Sequence, residues 1–343
     1  MKAMILNSIS DLKHNAMPLE MSYLPKPVPS DYEVLVKVLA CGVCHTELDE
    51  IEGRTPPSQF PVIPGHQVIG IVESTGKLVT KLKAGERVGV AWIYSSCGKC
   101  SFCLSGRENL CSGFLATGRD VNGGYAEYMK VHESYAYPIP EIFTSSQAAP
   151  LLCAGAVGYR SVRLSGLYDG ANLGLTGFGA SAHIVLQIVR YMYPAVKIFV
   201  FARSENERRF AKELGAFRVG DSTDQLNDQM DCIIDTTPVW KTVIEALQNL
   251  KPGGRLVINA IRKEEIDKEL LLKLDYTSHL WMEKEIKSVA NVTRMDIKKF
   301  LSLAAEIPIL PEIQEYKLEE ANIALVELKQ RKIRGAKVLV MDR

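Results

Sequence analysis

Eight cysteines are spread unevenly along the 343-residue chain, and four of them lie between positions 97 and 111. These four are Cys97, Cys100, Cys103 and Cys111, in the pattern C-x2-C-x2-C-x7-C. Thiolates this closely spaced can hold one tetrahedral zinc ion with no coordination position left open, which would brace a loop and exclude a substrate. Free buried cysteines are one alternative. An iron–sulfur cluster is another, although ferredoxin-type runs usually carry proline after the last cysteine.

Three separated segments carry a second set of potential ligands, Cys44, His66 and Cys153. Taken singly, each has a plain explanation as a packed cysteine or a hydrogen-bonded histidine. Together, two thiolates and one imidazole would form a zinc site whose fourth position is open to water or substrate. An open zinc ion is a Lewis acid that lowers the pKa of an alcohol and favours the alkoxide from which hydride leaves.

A glycine-rich turn of the form G-x-G-x-x-A is made by Gly177, Gly179 and Ala182. It lies between a predicted strand, 171–176, and a predicted helix, 180–191. The glycines permit a tight turn and close approach of a pyrophosphate, which the helix N-terminus would bind, and the small third residue permits helix–strand packing. Because glycines in any strand-to-helix turn could mimic this motif, its context carries the prediction of a dinucleotide site.

Arg203 and Ser204 follow the next predicted strand, 197–201, at the place where an NAD site usually carries Asp or Glu. No acidic residue stands there, and the guanidinium with the Ser204 hydroxyl could bind the 2′-phosphate of NADP. The sequence therefore favours NADP, with use of NAD possible. A solvated arginine at a strand end is the plain alternative.

The elements that would position these residues fall into two patterns. Up to about residue 155, short β-like runs such as 33–39 and 68–72 are separated by Pro and Gly turns, which indicates an irregular, mainly β unit. From there to about 290, apolar strands alternate with helix-length segments, which indicates βαβ units and a parallel sheet. The further strands expected are 231–235, 255–258 and 285–289; the further helices are 205–214 and 240–250, the latter stopped by Pro252-Gly253-Gly254. A helix over 295–305 and a strand over 336–341 complete the prediction.

Composition narrows the functional class. Forty-one Lys and Arg residues against 40 Asp and Glu give a net charge of +1, so the chain has no general affinity for nucleic acid or anionic membranes. Hydrophobic residues make up 47% and charged residues 24%, which is normal for a globular protein with a sizeable core. With no signal-peptide pattern and no long apolar run, the expected location is the cytoplasm, where thiols stay reduced.

Taken together, the chain resembles a zinc-dependent alcohol dehydrogenase of the medium-chain dehydrogenase/reductase superfamily over its whole length. The resemblance rests on the segments 41–46, 64–68, 97–111, 122–128, 150–155, 177–182 and 333–338. It implies an α/β protein with a GroES-like, mainly β catalytic domain and a Rossmann domain with a doubly wound parallel sheet. The catalytic domain would comprise residues 1–155 and 290–343, and the dinucleotide-binding domain residues 156–289.

The resemblance also assigns roles. Cys44, His66 and Cys153 would hold the catalytic zinc, and the cysteines at 97, 100, 103 and 111 a structural zinc. The remaining catalytic roles would fall to Thr46, which bonds the substrate oxygen and starts a proton relay, Glu47, which orients the histidine ligand, and Asp49, at the end of the relay. The cofactor would be bound by His45, Gly177, Gly179, Ala180, Ala182, Arg203, Ser204 and Arg334.

Two positions depart from the family pattern. Gln67 follows the ligand histidine where Glu is usual, and Asp49 stands where many members end the proton relay on histidine. The neutral amide would leave the zinc site more positive. An aspartate could still pass a proton through water.

The resulting hypothesis is reversible hydride transfer between a small alcohol and NADP, or NAD, by a homodimer or homotetramer with two zinc ions per chain. A polyol, formaldehyde or cinnamyl-type dehydrogenase of the same superfamily is the close alternative. A non-catalytic zinc- and nucleotide-binding module is the distant one. Lys99 and Arg107 are the only basic residues between the clustered cysteines, a poor face for a nucleic acid.

Overall fold

The computed structural model describes residues 1–221, 224, 228–307, 309, 311–330 and 335–341. It divides into two compact units, one formed by Met1–Cys153 with Thr293–Arg343 and the other by Ala154–Val292. The roles assigned to these two parts from the sequence remain predictions. Within the described ranges, no helix combines the length and the apolar character that crossing a bilayer requires.

The strands follow in chain order. They are β1 (Lys2–Leu6), β2 (Leu19–Tyr23), β3 (Glu33–Val43), β4 (Val68–Thr75), β5 (Arg87–Val90), β6 (Ile93–Ser95), β7 (Leu115–Ala116), β8 (Tyr128–His132), β9 (Ala136–Pro138), β10 (Asn172–Thr176), β11 (Lys197–Phe201), β12 (Arg218–Gly220), β13 (Met230–Asp235), β14 (Leu250–Ile258), β15 (Glu285–Ser288), β16 (Ile313–Lys317) and β17 (Ala336–Val340).

The helices are α1 (His45–Ile51), α2 (Ser101–Leu104), α3 (Ser145–Ala148), α4 (Ala154–Ser165), α5 (Ala180–Met192), α6 (Glu205–Glu213), α7 (Lys241–Asn249), α8 (Arg294–Glu306) and α9 (Ala321–Lys329). Short 3-10 turns cover Glu108–Leu110, Glu133–Tyr135, Ala149–Leu152, Lys268–Lys273 and Leu318–Glu320, and a π-helical turn covers Tyr276–Leu280.

The first unit is built on a mixed sheet in the order β16-β17-β3-β4-β5-β9, with β8 paired to β3. Strand β3 is its centre, antiparallel to β17, β4 and β8. Val34, Val36 and Val38 of β3 are buried on one face, as the alternation of its β-branched residues predicts. The strand runs directly into Cys44, so the central, best-supported strand of the unit delivers the first ligand candidate.

The second unit holds a six-stranded parallel sheet in the order β12-β11-β10-β13-β14-β15. Its central strands are buried on both faces, which explains their nearly continuous apolar sequences. Helix α5 buries Ile184, Val185, Ile188 and Val189 at helical spacing. The predicted βαβ organisation is therefore confirmed.

The boundary between α7 and β14 differs from the prediction. The helix ends at Asn249, and β14 begins at Leu250, so Pro252, Gly253 and Gly254 lie inside a strand rather than stopping a helix. The pairing of β13 with β14 shifts register between Met230 and Cys232, and Gly253 has φ +71°. A bulge accommodates residues that would otherwise interrupt the ladder.

Several elements have too little periodicity to be predicted. Strand β12 has three residues, and β16 and α9 lie in the segment between the predicted helix and the final strand. Helix α4 begins directly after Cys153 and was also not predicted. Such elements form because the neighbouring sheet or core covers them, and local sequence carries little of that information.

Candidate metal centres and dinucleotide turn

The four clustered cysteines converge on one point of the first unit. Their sulfur atoms all lie within 4.8 Å of one another, and the Cys97 and Cys103 sulfurs are 3.9 Å apart. Zinc–sulfur bonds of about 2.3 Å in a tetrahedron place neighbouring sulfurs roughly 3.8 Å apart, so the set fits a zinc ion. Cys100 caps the N-terminus of helix α2, and its Sγ accepts the backbone N–H of Cys103 at 3.5 Å.

The loop shifts the pKa values of its cysteines in both directions. Hydrogen bonds from the backbone N–H groups of Lys99 and Cys100 lower the pKa of Cys97 to about 6. Burial opposes ionisation of Cys103, but hydrogen bonds with Ser96 and with other cysteines lower its pKa overall. For Cys100, a backbone hydrogen bond from Cys103 favours the thiolate, but burial and hydrogen bonds with neighbouring cysteines raise its pKa to about 11. Since the thiolate is the form that binds metal, the loop favours that form at Cys97 and Cys103.

The second set, Cys44, His66 and Cys153, is also assembled. The three ligand atoms lie within 4.8 Å of one another, with Cys44 Sγ 3.7 Å from His66 Nε2. Cys44 caps the N-terminus of α1, and its Sγ accepts the backbone N–H of Thr46 at 3.3 Å. Cys153 follows the 3-10 turn Ala149–Leu152. Three converging donors of this type leave a fourth tetrahedral position for another ligand.

Glu47 joins two of these ligands. Its Oε2 accepts the backbone N–H of Cys44 at 2.9 Å, and its Oε1 lies 2.6 Å from His66 Nδ1. The side chains of Glu47 and His66 are almost fully buried. A carboxylate on Nδ1 selects the tautomer whose Nε2 lone pair is free, and Nε2 is the atom that faces Cys44.

The acid–base properties of the set reflect how closely its members pack. A hydrogen bond with Cys153, burial and the charge of Glu47 raise the pKa of Cys44 well above its ordinary value. Burial lowers the pKa of His66, but Glu47 and Cys44 outweigh it and raise that pKa well above its usual range. Two sulfurs and one imidazole are donors that suit zinc.

Gly65 makes the position of His66 possible. Its φ is +98°, and a Cβ at this residue would lie 2.3 Å from Tyr125 Cδ1 and 2.8 Å from Cys41 Sγ. Real Cβ atoms do not approach so closely, so the turn requires glycine on both counts. The Tyr125 ring, fully buried, thus packs directly against the turn that carries the histidine.

The other predicted catalytic residues lie on α1, together with His45 of the predicted cofactor-binding set. His45 is exposed and Thr46 half-buried at the helix start. Asp49 is buried, and its Oδ1 accepts the Arg54 Nε–H at 2.6 Å. Glu50, which sequence reasoning missed, is buried one turn after Glu47; burial and then the charge of Glu47 raise its pKa well above the usual range. The signal for Glu50 in the sequence was its position three residues after Glu47, which places both acids on the same face of a helix.

The dinucleotide turn lies between β10 and α5 in the second unit. Gly177 has φ +78°, and a Cβ there would lie 2.9 Å from Thr236 Oγ1. A Cβ on Gly179, by contrast, would meet no atom within 4 Å. Gly177 therefore serves the turn itself, whereas Gly179 leaves open space beside the first N–H groups of α5, as a pyrophosphate requires. Ala180 begins the helix, and Ala182 is fully buried.

Arg203 is exposed just after β11, and Ser204 caps α6. Arg208 Nη1 donates to the carbonyls of Ala202 and Arg203, at 2.7 and 3.0 Å, which fixes the backbone of this segment. Arg334, the remaining predicted cofactor residue, lies outside the described residues. Sequence reasoning also missed a buried pair, Asp235 and Lys263, beside the Gly177 turn.

Comparisons with known proteins place both units in one family. A model described as alcohol dehydrogenase GroES-like domain matches residues 30–141, and one described as zinc-binding dehydrogenase matches residues 182–306. A probable alcohol dehydrogenase AdhA of Mycobacterium tuberculosis is 40% identical over 331 residues, covering 94% of this chain and 93% of the relative. An alcohol dehydrogenase of Geobacillus stearothermophilus is 33% identical over 348 residues, covering 99% and 98%.

Among solved structures, a cinnamyl alcohol dehydrogenase from Sorghum bicolor superimposes with a TM-score of 0.85 at 26% identity. The match covers 98% of this chain and 97% of that one. The combination of a GroES-like domain and a Rossmann sheet, which the sequence predicted, is thereby confirmed.

The role of Gly65 can be tested by metal binding. In Gly65→Ala the collision with Tyr125 should displace His66 and lower the zinc affinity of the Cys44, His66 and Cys153 set at least about tenfold. Gly85→Ala is the matched control: Gly85 has φ +90°, but a Cβ there meets nothing within 4 Å. Metal analysis at buffered free zinc would measure both. An unchanged affinity in Gly65→Ala would contradict the assignment of Gly65.

Proposed function

The chain belongs to the zinc-type medium-chain dehydrogenase/reductase family and is an oxidoreductase of the alcohol dehydrogenase type; from this we propose that it transfers hydride reversibly between an alcohol and NADP. The observation that supports this most directly is the Cys44, His66 and Cys153 set with Glu47 on the far nitrogen of the histidine. A set of three donors with one open position suits a catalytic rather than a structural metal.

Cys44, His66 and Cys153 would hold the catalytic zinc. When bound, zinc supplies Lewis acidity that lowers the pKa of an alcohol hydroxyl. Glu47 keeps His66 in the ligating tautomer. Thr46, half-buried two residues after Cys44, is proposed to accept the proton of the alcohol hydroxyl while it releases the proton of its own hydroxyl. The released proton is proposed to reach Asp49 through water, and the Asp49 carboxylate is paired with Arg54.

The cysteines at 97, 100, 103 and 111 are proposed to hold a second, structural zinc, which brings the total to two per chain. Four thiolates close the coordination shell, so this site would not take part in hydride transfer. Its contribution is to stability, because metal binding to a preorganised loop adds to the free energy of folding.

The cofactor is proposed to bind with its pyrophosphate at Gly177, Gly179, Ala180 and Ala182. Arg203 and the Ser204 hydroxyl are proposed to bind the 2′-phosphate, and His45 and Arg334 to approach the pyrophosphate. The exposed position of Arg203 after β11 supports this, since a guanidinium forms strong, bidentate bonds with phosphate. NADP is therefore the proposed preference, with NAD as a weaker alternative.

A cinnamyl-type alcohol is the second candidate substrate. The match to the Sorghum bicolor enzyme favours it, and the first unit carries a pair of aromatic side chains. Trp92 and Phe114 have ring centroids 5.2 Å apart, and the Arg119 guanidinium lies over both rings. Turnover of aromatic against short aliphatic aldehydes would separate the two candidates.

We also propose a homo-oligomer that associates through β15. This strand is the last in its sheet, all four of its residues are exposed, and an edge strand offers unpaired N–H and C=O groups to a second copy. Exposed apolar side chains of the same unit accompany it, namely Ile261, Ile266, Leu272, Leu274, Tyr276, Trp281, Met282 and Ile286. Such a concentration is typical of an interface.

The catalytic metal assignment is tested by Cys153→Ser. Zinc content should fall from about two to about one per chain, and kcat/KM for an alcohol should fall at least about 100-fold, because the metal is lost. Cys232→Ser, a buried cysteine with no assigned ligand role, is the control and should retain both. Full activity in Cys153→Ser would refute the proposed function.

The cofactor preference is tested by Arg203→Asp. Loss of a charge-assisted bond and repulsion of the 2′-phosphate should raise the KM for NADP about 10- to 100-fold and change the KM for NAD little. Arg218→Asp makes the same charge change at the start of β12 and should have no such effect. A wild-type enzyme that prefers NAD would overturn the role given to Arg203.

The interface is tested by Ile286→Lys. A charge in the middle of β15 should shift the protein toward monomers in size-exclusion chromatography with light scattering. Ile323→Lys, a substitution at a similarly exposed isoleucine of α9, should leave the mass unchanged. An oligomer that survives Ile286→Lys, or a monomeric wild type, would contradict the proposal.

A further inference from the structure

The order of the parallel sheet identifies where a ligand of the second unit would bind. From β10 the chain continues to β11 on one side, whereas β13 lies on the other side of β10. Ligands of open parallel sheets bind outside the carboxyl ends of the strands at such a reversal. Two segments border this point, the Gly177 turn after β10 and residues 236–239 after β13. The N–H and hydroxyl of Thr236 both donate to the Thr176 carbonyl, at 3.0 and 2.9 Å.

Asp235, the last residue of β13, connects the segments at this edge of the sheet by hydrogen bonds and an ion pair. It is fully buried, and its Oδ1 accepts the Thr176 hydroxyl at 2.6 Å and the Thr237 hydroxyl at 2.9 Å. The Thr242 hydroxyl and the Thr237 N–H lie slightly farther away, both at 3.2 Å. Its other oxygen pairs with Lys263, from the loop after β14.

Lys263 pairs with Asp235 and also binds the backbone of the segment that follows β13. Its Nζ also donates to the carbonyls of Thr237 and Val239, at 2.8 and 3.0 Å. All three ammonium protons therefore have acceptors, and the side chain is only 7% exposed. A lysine so placed cannot reach a ligand, yet it ties the segment 236–239 to the loop that follows β14.

A buried ion pair needs an explanation, because desolvation cancels much of its attraction and an apolar pair of similar size would often be equally stable. Here the pair lies where two loops must be held beside the dinucleotide turn. Thr236 is also the nearest neighbour that a Cβ on Gly177 would meet. The conformation of 236–239 and that of the turn are thus directly linked.

We propose that Lys263 is a positioning residue for the dinucleotide: by its bonds to Asp235 and to the carbonyls of Thr237 and Val239, it holds segment 236–239 in the conformation that the cofactor requires. This inference deepens the proposed function and rests on it. Asp235 anchors the ammonium and the turn residues. The two carbonyl bonds of Lys263 add to those that the segment receives from the Thr242 hydroxyl, on the Val239 carbonyl at 3.1 Å, and from the Glu264 N–H, on the Pro238 carbonyl at 2.6 Å.

The experiment is a double-mutant cycle of Lys263→Met and Asp235→Asn, followed by two measurements on the full-length protein. Chemical denaturation gives stability, and titration with NADP gives the dissociation constant. Lys263→Met alone leaves Asp235 buried without its cation and should be destabilised. The double variant removes that unpaired charge and should recover much of the stability, while an amide can still accept the threonine hydroxyl bonds.

If Lys263 positions the segment, the dissociation constant for NADP should rise about tenfold in both Lys263→Met and the double variant, because both lack the two carbonyl bonds. KM for the dinucleotide should rise likewise, with KM for the alcohol and zinc content unchanged. Should Lys263→Met fail to fold, the double variant still decides the question. A double variant that binds NADP as tightly as wild type would overturn the inference and reduce the pair to a structural role.

The second unit offers a matched control. Lys251 Nζ pairs with both oxygens of Asp231 at 2.8 and 2.9 Å, near the amino end of the same strand β13. Lys251→Met with Asp231→Asn should leave the NADP dissociation constant unchanged. Wild-type protein that binds no dinucleotide at all would refute the proposed function, and this inference with it. Wild-type protein and double variant that bind equally would refute this inference alone.

Discussion

The contact on which the Cys44, His66 and Cys153 set depends is the one between Glu47 and His66. One carboxylate oxygen holds the backbone N–H of Cys44, and the other lies against the far nitrogen of the histidine. A single buried side chain therefore fixes the start of α1, the position of one thiolate and the tautomer of the imidazole. Cys44 is both the N-cap of α1 and a candidate ligand, so the residue that begins the helix also places a sulfur at the site.

The two sets of candidate metal ligands lie in the same unit but differ in how their surroundings shift the pKa of a cysteine. In the four-cysteine loop, backbone N–H groups lower the pKa of Cys97, so the thiolate is favoured by local structure on an exposed loop. At Cys44, a hydrogen bond with Cys153 and burial raise the pKa instead. The thiolate is therefore favoured at Cys97 and disfavoured at Cys44 in the absence of a metal.

The second unit organises its edge by a similar principle. Asp235 gathers the hydroxyls of Thr176, Thr237 and Thr242 at the reversal of the sheet, and Lys263 neutralises it while binding two carbonyls. In both units a buried acid at the end of a central strand or the start of a helix fixes the loops that would carry the chemistry. Gly65 and Gly177 complete these loops, because each has a positive φ and packs so closely against neighbouring side chains that a Cβ would collide with them.

Spacing and periodicity are local properties of the chain, so the ligand types, the parallel sheet and the glycine-rich turn could be recognised from the residues alone. Strands such as 197–201 match the structure residue for residue, since a strand buried on both faces has a distinctive apolar run. Three other features became visible only in the folded chain: Pro252, Gly253 and Gly254 lie inside β14, Glu50 is buried beside Glu47, and Lys263 pairs with Asp235. These features depend on groups far apart in the chain, and no local pattern records which distant partner will cover a residue or neutralise its charge.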